Sequence, residues 1–162
     1  LARLGYHVVA LTGKAGEADY LRRLGAAEVM LRDELDLARI RPLDRARWAG
    51  AVDNLGGEVL AWMASTMMQG GTIASIGLAA SMNLNTTVAP FILRGVSLLG
   101  VDSGYIGEPY RHNVWQRLAS DMRPPHLATM ARQIAFDELP ATFDQYIAGH
   151  AKGRVVVAVG GA

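Results

Sequence analysis

Short apolar runs alternate along the chain with segments of helical spacing, and this alternation most constrains the fold. An apolar run at residues 8–11 ends in a turn, and apolar residues at helical spacing follow at 17–24. The same order recurs at residues 48–53 and 58–68. Strands that alternate with helices predict a mostly parallel sheet with crossover helices. We therefore expect an α/β fold of the doubly wound, Rossmann type.

The remaining elements are predicted from the same two spacings. Further strands are expected at residues 28–31, 72–76, 97–102, around Ile134 and at 154–159, and further helices at 87–93, 108–121 and 139–148. Two adjacent glycines, Gly70 and Gly71, indicate a turn before the strand at 72–76.

The turn after the first predicted strand reads Thr12-Gly13-Lys14. In dinucleotide-binding α/β folds an acid near this position binds the ribose 2′-hydroxyl of NAD, whereas a cation accommodates the 2′-phosphate of NADP. The turn contains no acid. Arg32 follows the next strand, and ligands in open α/β sheets lie outside the carboxyl ends of the strands. An exposed lysine and a solvated arginine remain the alternatives for each cation alone, but together they predict a phosphate site.

Composition excludes several other classes of function. The 162 residues carry a formal net charge of +1, which gives no nucleic-acid or membrane-surface footprint. No cysteine is present, so disulfides and a thiol nucleophile are excluded. The four histidines are not spaced with carboxylates as a metal set, and we expect no metal site; they are His7, His112, His126 and His150.

Asp53 closes another predicted strand, where a carboxylate either contacts a ligand or caps the following helix. We favour capping, since Asp is a common residue at helix N-termini.

The chain begins only a few residues before its first predicted strand. Residues 1–5 resemble the last turn of a helix capped by Gly5, and no G-x-G-x-x-G loop precedes the strand. We therefore expect a fragment that lacks the first strand and glycine-rich loop of the fold. In a doubly wound sheet that strand lies between the second and fourth, so a gap is expected beside residues 8–11. The flanking strands close up, another strand such as 154–159 fills the gap, or the first strand lies outside this sequence.

Several stretches of the chain resemble the sequences of a known protein family. They are ADYLRRLGAAEVMLRDE at 18–34, RWAGAVDNLGG at 47–57, GGTIASIGLAA at 70–80, TTVAPFILRGVSLLGVDS at 86–103 and GRVVVAV at 153–159. With these stretches the chain resembles the zinc-independent medium-chain dehydrogenase/reductase superfamily, and more narrowly its acrylyl-CoA reductase, or quinone-oxidoreductase-like, branch. The resemblance implies an NADPH-dependent oxidoreductase that reduces an activated C=C bond, in an enoyl-CoA such as acrylyl-CoA or in a quinone.

The resemblance also implies which residues meet the cofactor, NADP(H). The residues that match the adenosine 2′-phosphate site are Thr12, Gly13, Lys14 and Arg32, and those that match the nicotinamide half are Leu78, Ile92 and Ser103. Residues 1–122 resemble the coenzyme-binding domain, and 123–162 the segment that returns to a catalytic domain. That domain is absent from this sequence, so no catalytic residue is assigned and the fragment alone is expected to be inactive.

Partners and location follow from the same reasoning. We expect a small-molecule substrate, no nucleic acid, no membrane, a cytoplasmic location and a homodimer formed through the apolar strand at 97–101. The alternative function is a non-catalytic nucleotide-binding or sensor module. A methyltransferase-like domain is a weaker alternative, because that fold usually has an acid where this chain has Thr12-Gly13-Lys14.

Overall fold

The computed structural model describes residues 1–160, which form two compact units. The first unit is Leu1–Ile106, and the second begins at Gly107. Every strand ladder among these 160 residues is parallel, and helices separate successive strands. The predicted α/β class with parallel strands is therefore confirmed. Residues 161 and 162, the end of the predicted returning segment, lie outside the described residues.

The first unit contains five strands, which form two separate sheets, and three α-helices. In chain order its elements are β1 (Val9–Thr12), α1 (Ala18–Arg23), β2 (Glu28–Leu31), β3 (Trp48–Asp53), α2 (Gly57–Thr66), β4 (Met67–Ser75), α3 (Ala89–Arg94) and β5 (Ser97–Gly100). One sheet has the order β1-β2 and the other β3-β4-β5. The predicted last turn of a helix at residues 1–5 is a 3-10 turn, Ala2–Leu4, that ends at Gly5 with a φ of 82°.

The expected gap is present, because β1 and β3 pair with other strands and not with each other. Residues 154–159 do not fill it: β7 (Arg154–Ala158) pairs with β6 (Ala131–Ala135) in the second unit. The strands beside the gap have not closed up, and a cleft lies between them.

The core of the first unit lies between α2 and the β3-β4-β5 sheet. Its buried cluster consists of Leu60, Ala64, Met67, Ile73 and Val96. Leu60 and Ala64 lie one helical turn apart on α2, which puts both on the face that meets the sheet. Apolar burial of this kind is the main favourable contribution to the stability of such a layer.

The turn predicted at Gly70 and Gly71 is wrong, since β4 runs through both glycines. The register with β3 shifts here: Trp48 is opposite Met67, and Gly50 is opposite Thr72. A Cβ on Gly71 would lie 2.7 Å from the Met67 side chain and 3.2 Å from the Ala49 carbonyl oxygen. The glycines therefore form an irregularity inside a strand, which sequence spacing alone does not distinguish from a turn.

The second unit contains α4 (Tyr110–Ala119), α5 (Leu127–Met130), β6, α6 (Leu139–Ile147) and β7. Ile134 on β6 and Thr142 on α6 are its buried residues within the described range. The unit begins at Gly107, before the domain boundary expected at 122, so α4 falls in the second unit. The assignment of residues 107–122 to a coenzyme-binding domain stays a prediction.

Candidate functional site

Two cation-bearing turns meet at the carboxyl ends of β1 and β2. Thr12 is opposite Leu31 in the parallel ladder, so both strands end at the same level and Arg32 follows directly. The Arg32 guanidinium lies over Gly13: a Cβ built there would be 3.1 Å from Nη2, 3.3 Å from Cζ and 3.7 Å from Nη1. A Cβ at position 13 would require the guanidinium to move by a few tenths of an ångström, so the glycine allows the present close approach.

Side chains hold both turns in place. The Thr12 hydroxyl oxygen accepts a hydrogen bond of 3.1 Å from the backbone N–H of Lys14, which closes the turn around Gly13. The Nε atom of Arg32 lies 3.6 Å from a carboxylate oxygen of Asp33, and the Arg32 side chain is 46% exposed. Nε thus faces an acid, while the terminal nitrogens lie toward Gly13.

The chemistry of this edge suits a phosphate dianion. A guanidinium presents paired N–H donors whose spacing matches two phosphate oxygens, and Lys14 adds a second cation on the neighbouring turn. The turn from Thr12 to Lys14 contains no carboxylate that would repel a 2′-phosphate. The structure therefore brings Thr12, Gly13 and Arg32 together, as the sequence predicts, with Lys14 next along the chain.

The three residues predicted for the nicotinamide half lie on other elements. Leu78 is in the loop after β4 and 61% exposed, Ile92 is on α3 and 73% exposed, and Ser103 follows β5. The Leu78 loop packs on the turn after β3, where the Ala79 N–H donates to the Asn54 carbonyl oxygen at 3.2 Å. A common nicotinamide surface formed by the three residues stays a prediction.

Asp53 stabilises the turn between β3 and α2. Its carboxylate is 1% exposed and accepts hydrogen bonds from the backbone N–H groups of Leu55 and Gly56, both at 3.0 Å, and from the Ser75 hydroxyl at 3.1 Å. The predicted capping role is wrong: Gly56 is the N-cap of α2, which has no side-chain cap hydrogen bond, and Asp53 instead holds the turn that precedes the helix. The bond to Ser75 also ties the ends of β3 and β4 together.

Arg94 joins three distant carbonyl groups, and the sequence analysis did not single it out. One terminal nitrogen donates to the carbonyl oxygens of Ser65 and Met67, each at 2.9 Å, and the other donates to that of Asp44. The bonds to Ser65 and Met67 satisfy carbonyl groups at the end of α2, where a cation is also favoured by the helix dipole. The local signal was only an arginine in the last turn of a short helix.

The described residues do not provide a metal centre. They contain no group of three or more His, Cys, Asp or Glu side chains that could hold a metal ion.

In the same part of the chain, no helix has the length and apolar character needed to cross a membrane.

The family model for zinc-binding dehydrogenases matches residues 1–120, and the chain belongs to that family. The residues present do not fit a zinc site, because the sequence has no cysteine and the described part of the chain has no cluster of metal ligands.

Three relatives show a similarity along almost the whole chain. The acrylyl-CoA reductase AcuI of Ruegeria pomeroyi is 44% identical over 161 residues, which are 98% of this chain and 48% of the relative. The crystal structure of Escherichia coli K-12 YhdH with bound NADPH has a TM-score of 0.90 at 43% identity, covering 99% of this chain and 49% of YhdH. The structure of Bacillus subtilis YhfP with NAD bound has a TM-score of 0.91 at 41% identity, covering 98% and 48%. The chain therefore spans about half the length of these relatives.

Proposed function

We propose that this chain is the coenzyme-binding part of an NADPH-dependent oxidoreductase that reduces a C=C bond conjugated to a carbonyl group. The observation that carries the proposal is the Arg32 guanidinium lying over Gly13, on a strand-end turn that contains Lys14 and no acid. The similarity to an acrylyl-CoA reductase supports an enoyl thioester as the substrate class. The similarity to the quinone oxidoreductase YhfP of Bacillus subtilis supports a quinone as the other acceptor.

Different residues would hold the two ends of the cofactor. Arg32 and Lys14 would neutralise and orient the 2′-phosphate, and the Thr12 hydroxyl would keep the Lys14 backbone in place. The nicotinamide half would lie against Leu78, Ile92 and Ser103. When bound, NADPH supplies the hydride that reduces the double bond, while the protein contributes orientation and charge.

Binding of two adenosine nucleotides to the chain tests the proposed phosphate site. Adenosine 2′,5′-bisphosphate carries the 2′-phosphate, whereas 5′-AMP has a hydroxyl in its place. We expect tighter binding of the bisphosphate, by about ten- to a hundredfold, because one charge-assisted hydrogen bond contributes about 1.5–3 kcal/mol. Both nucleotides are expected to bind weakly, so NMR titration of the 162-residue chain, which detects millimolar and weaker binding, measures both affinities.

Arg32→Ala should remove most of that preference, and Arg32→Lys should restore only part, because lysine lacks the paired donors. Arg22→Ala is the matched control, since Arg22 pairs with Asp19 on the exposed face of α1. An equal affinity for the two nucleotides, or an unchanged preference in Arg32→Ala, would remove this turn from the cofactor site.

The proposal includes a homodimer and a cytoplasmic location. A dimer through β5 is supported by its position at the edge of the β3-β4-β5 sheet and by the 53% exposure of Leu99. The absence of cysteine is compatible with the reducing cytoplasm. Light scattering coupled to size exclusion should give the mass of a dimer for the wild-type chain and that of a monomer for Gly100→Pro. A monomeric mass for the wild-type chain at tens of micromolar would contradict the dimer.

A further inference from the structure

A buried carboxylate lies at the point where two segments leave the β3-β4-β5 sheet. Asp53 ends β3, Ser75 ends β4, and the two residues are opposite each other in the parallel ladder. The chain therefore leaves both strands at the same edge, and ligands of open α/β sheets lie outside such carboxyl ends. The segment after β3, residues 53–56, is called the β3 turn below, and the segment after β4, residues 76–81, is called the β4 loop.

The shape of the β3 turn depends on one side chain. The Asp53 carboxylate accepts the N–H groups of Leu55 and Gly56 within the turn, and the Ser75 hydroxyl holds the carboxylate from β4. Asp53 is 1% exposed, so water does not readily replace these bonds when the side chain is removed. Loss of the carboxylate should therefore loosen the turn.

The β3 turn holds the β4 loop through backbone hydrogen bonds. The Leu55 carbonyl oxygen accepts the N–H groups of Ala80 at 2.8 Å and Ser81 at 3.2 Å, and the Asn54 carbonyl oxygen accepts that of Ala79. The acceptors of these three bonds lie one and two residues after the buried carboxylate. A shift of the turn would therefore shift the loop.

Two glycines let the β3 turn and the β4 loop lie in contact. Gly56 has a φ of 70°, and a Cβ there would collide with the Ser81 carbonyl oxygen and lie 3.5 Å from the Cα of Leu78. A Cβ on Gly77 would lie 2.8 Å from the Asn54 carbonyl oxygen. The backbone of Leu78 is thus packed on the turn, while Leu78 itself is 61% exposed and open to a ligand.

We propose that Asp53 is a positioning residue for the nicotinamide end of the cofactor. Through the β3 turn, its carboxylate fixes the place at which the β4 loop presents Leu78. This inference rests on the proposed function, in which the nicotinamide half lies against Leu78. Asp53 is buried and acts only through the turn. Hydride transfer needs a close and well-oriented approach of the two reactants, so a small shift of the surface beneath the ring affects the reaction.

The first measurement uses no ligand. In Asp53→Ala, hydrogen exchange at the amides of Ala79, Ala80 and Ser81 should become about tenfold faster relative to the strand amides of β3 and β4, because the turn that carries their acceptors is released. Asp53→Asn keeps one acceptor oxygen and should restore most of the protection.

Met67→Ala is the matched control for hydrogen exchange. It destabilises the same sheet through the core cluster and leaves the Asp53 carboxylate in place. We expect it to accelerate exchange of the strand amides at least as much as that of the β4 loop. The selective effect of Asp53→Ala on the loop is therefore separable from a general loss of stability.

The second measurement uses reduced nicotinamide mononucleotide, which contains the nicotinamide half and no 2′-phosphate. In an NMR titration of the 162-residue chain it should shift the amide signal of Leu78. Asp53→Ala should bind it about three- to tenfold more weakly, because the β4 loop is displaced, and Asp53→Asn should recover most of the affinity.

Adenosine 2′,5′-bisphosphate is the matched control ligand. Its affinity should be the same in the wild type and in both Asp53 variants, because the hydrogen bonds of the carboxylate do not involve the β1-β2 sheet. Circular dichroism checks the folding of each variant. If Asp53→Ala does not fold, Ser75→Ala takes its place; it removes one bond to the carboxylate and should give the same pattern at smaller size.

Four results would overturn the proposal. They are a Leu78 signal that the mononucleotide does not shift in the wild type, unchanged exchange of the β4 loop in the alanine variant, an unchanged affinity of that variant for the mononucleotide, and equal losses of affinity for the mononucleotide and the bisphosphate. Equal wild-type affinities for the bisphosphate and 5′-AMP would instead count against the proposed phosphate site alone, so the two failures are distinguishable.

Discussion

The two sheets of the first unit differ in how completely they are covered. In the β3-β4-β5 sheet and its helix α2, Ala61, Met67 and Ile73 are each 0% exposed. In the β1-β2 sheet every residue is half-buried or exposed. The candidate phosphate site lies on this second, poorly covered sheet. In the proposed function, recognition of the cofactor would therefore depend on the more weakly packed part of the unit.

The comparison shows what a covering layer contributes. α2 packs on one face of its sheet and brings Leu60 and Ala64 into the core. β1 and β2 are four residues each, and one edge of β1 borders the cleft. A two-stranded sheet is only marginally stable by itself in water.

The largest expected effect distinguishes the fully buried Met67 from the half-buried Met30. Met67→Ala should lower the free energy of unfolding by about 2–5 kcal/mol, because it leaves a cavity in the core cluster. Met30→Ala on β2 should cost about 1 kcal/mol or less, since Met30 lines the open cleft. Urea unfolding followed by circular dichroism measures both. Equal losses would show that the β1-β2 sheet has a core of its own and would break the comparison.

A smaller effect distinguishes two strand-end turns of similar design. In each, a side-chain oxygen accepts the N–H two residues ahead: Asp53 from Leu55, and Thr12 from Lys14. Asp53→Ala should cost about 1–3 kcal/mol, because buried donors lose their acceptor. Thr12→Ala should cost about 0.5 kcal/mol or less, because the exposed N–H of Lys14 regains water.

Asp53→Asn is the control for that pair, since it keeps one acceptor oxygen and should lose less stability than Asp53→Ala. The same urea titration serves all three variants. A loss in Thr12→Ala as large as that in Asp53→Ala would mean that the first turn is shielded from water despite its exposed setting.

The smallest expected effect is that of the cofactor on the chain alone. The sequence has no glycine-rich loop to supply backbone N–H groups to the pyrophosphate. NADPH should therefore bind no more tightly than about 1 mM, which corresponds to about 4 kcal/mol. At 1 mM it should stabilise the chain by about 0.4 kcal/mol or less. Calorimetry tests this, and micromolar binding would show that the β1-β2 sheet forms a complete site unaided.

Local patterns predicted the elements whose signals lie within a few residues. The bounds of β2 agree with the prediction, and the strand-end rule placed Arg32 beside the Thr12–Lys14 turn. The position of Asp53 at the end of β3 also agrees with the prediction, whereas its capping role does not, since its bonds reach only as far as Gly56, the N-cap of α2.

Long-range structure was harder to predict. Position 71, inside β4, is a glycine because the Met67 side chain and the Ala49 backbone occupy the space where a Cβ would lie. The spacing of residues along the sequence does not encode that crowding. Residues 154–159 resemble a strand that could fill the gap, but pairing with β6 is a tertiary choice. Arg94 has partners 27 to 50 residues away along the chain, so nothing in its neighbourhood indicates them.

Those separations give Arg94 a kinetic consequence. Its guanidinium reaches its full set of acceptors only after α2 has ended, β4 has begun and the segment around Asp44 has arrived. Because the loop-closure entropy must be lost before such distant groups can bond, we expect these bonds to form late in folding. Their loss then accelerates unfolding more than it slows folding. We therefore expect the loss of Arg94 to change the lifetime of the folded unit more than the rate at which the unit forms.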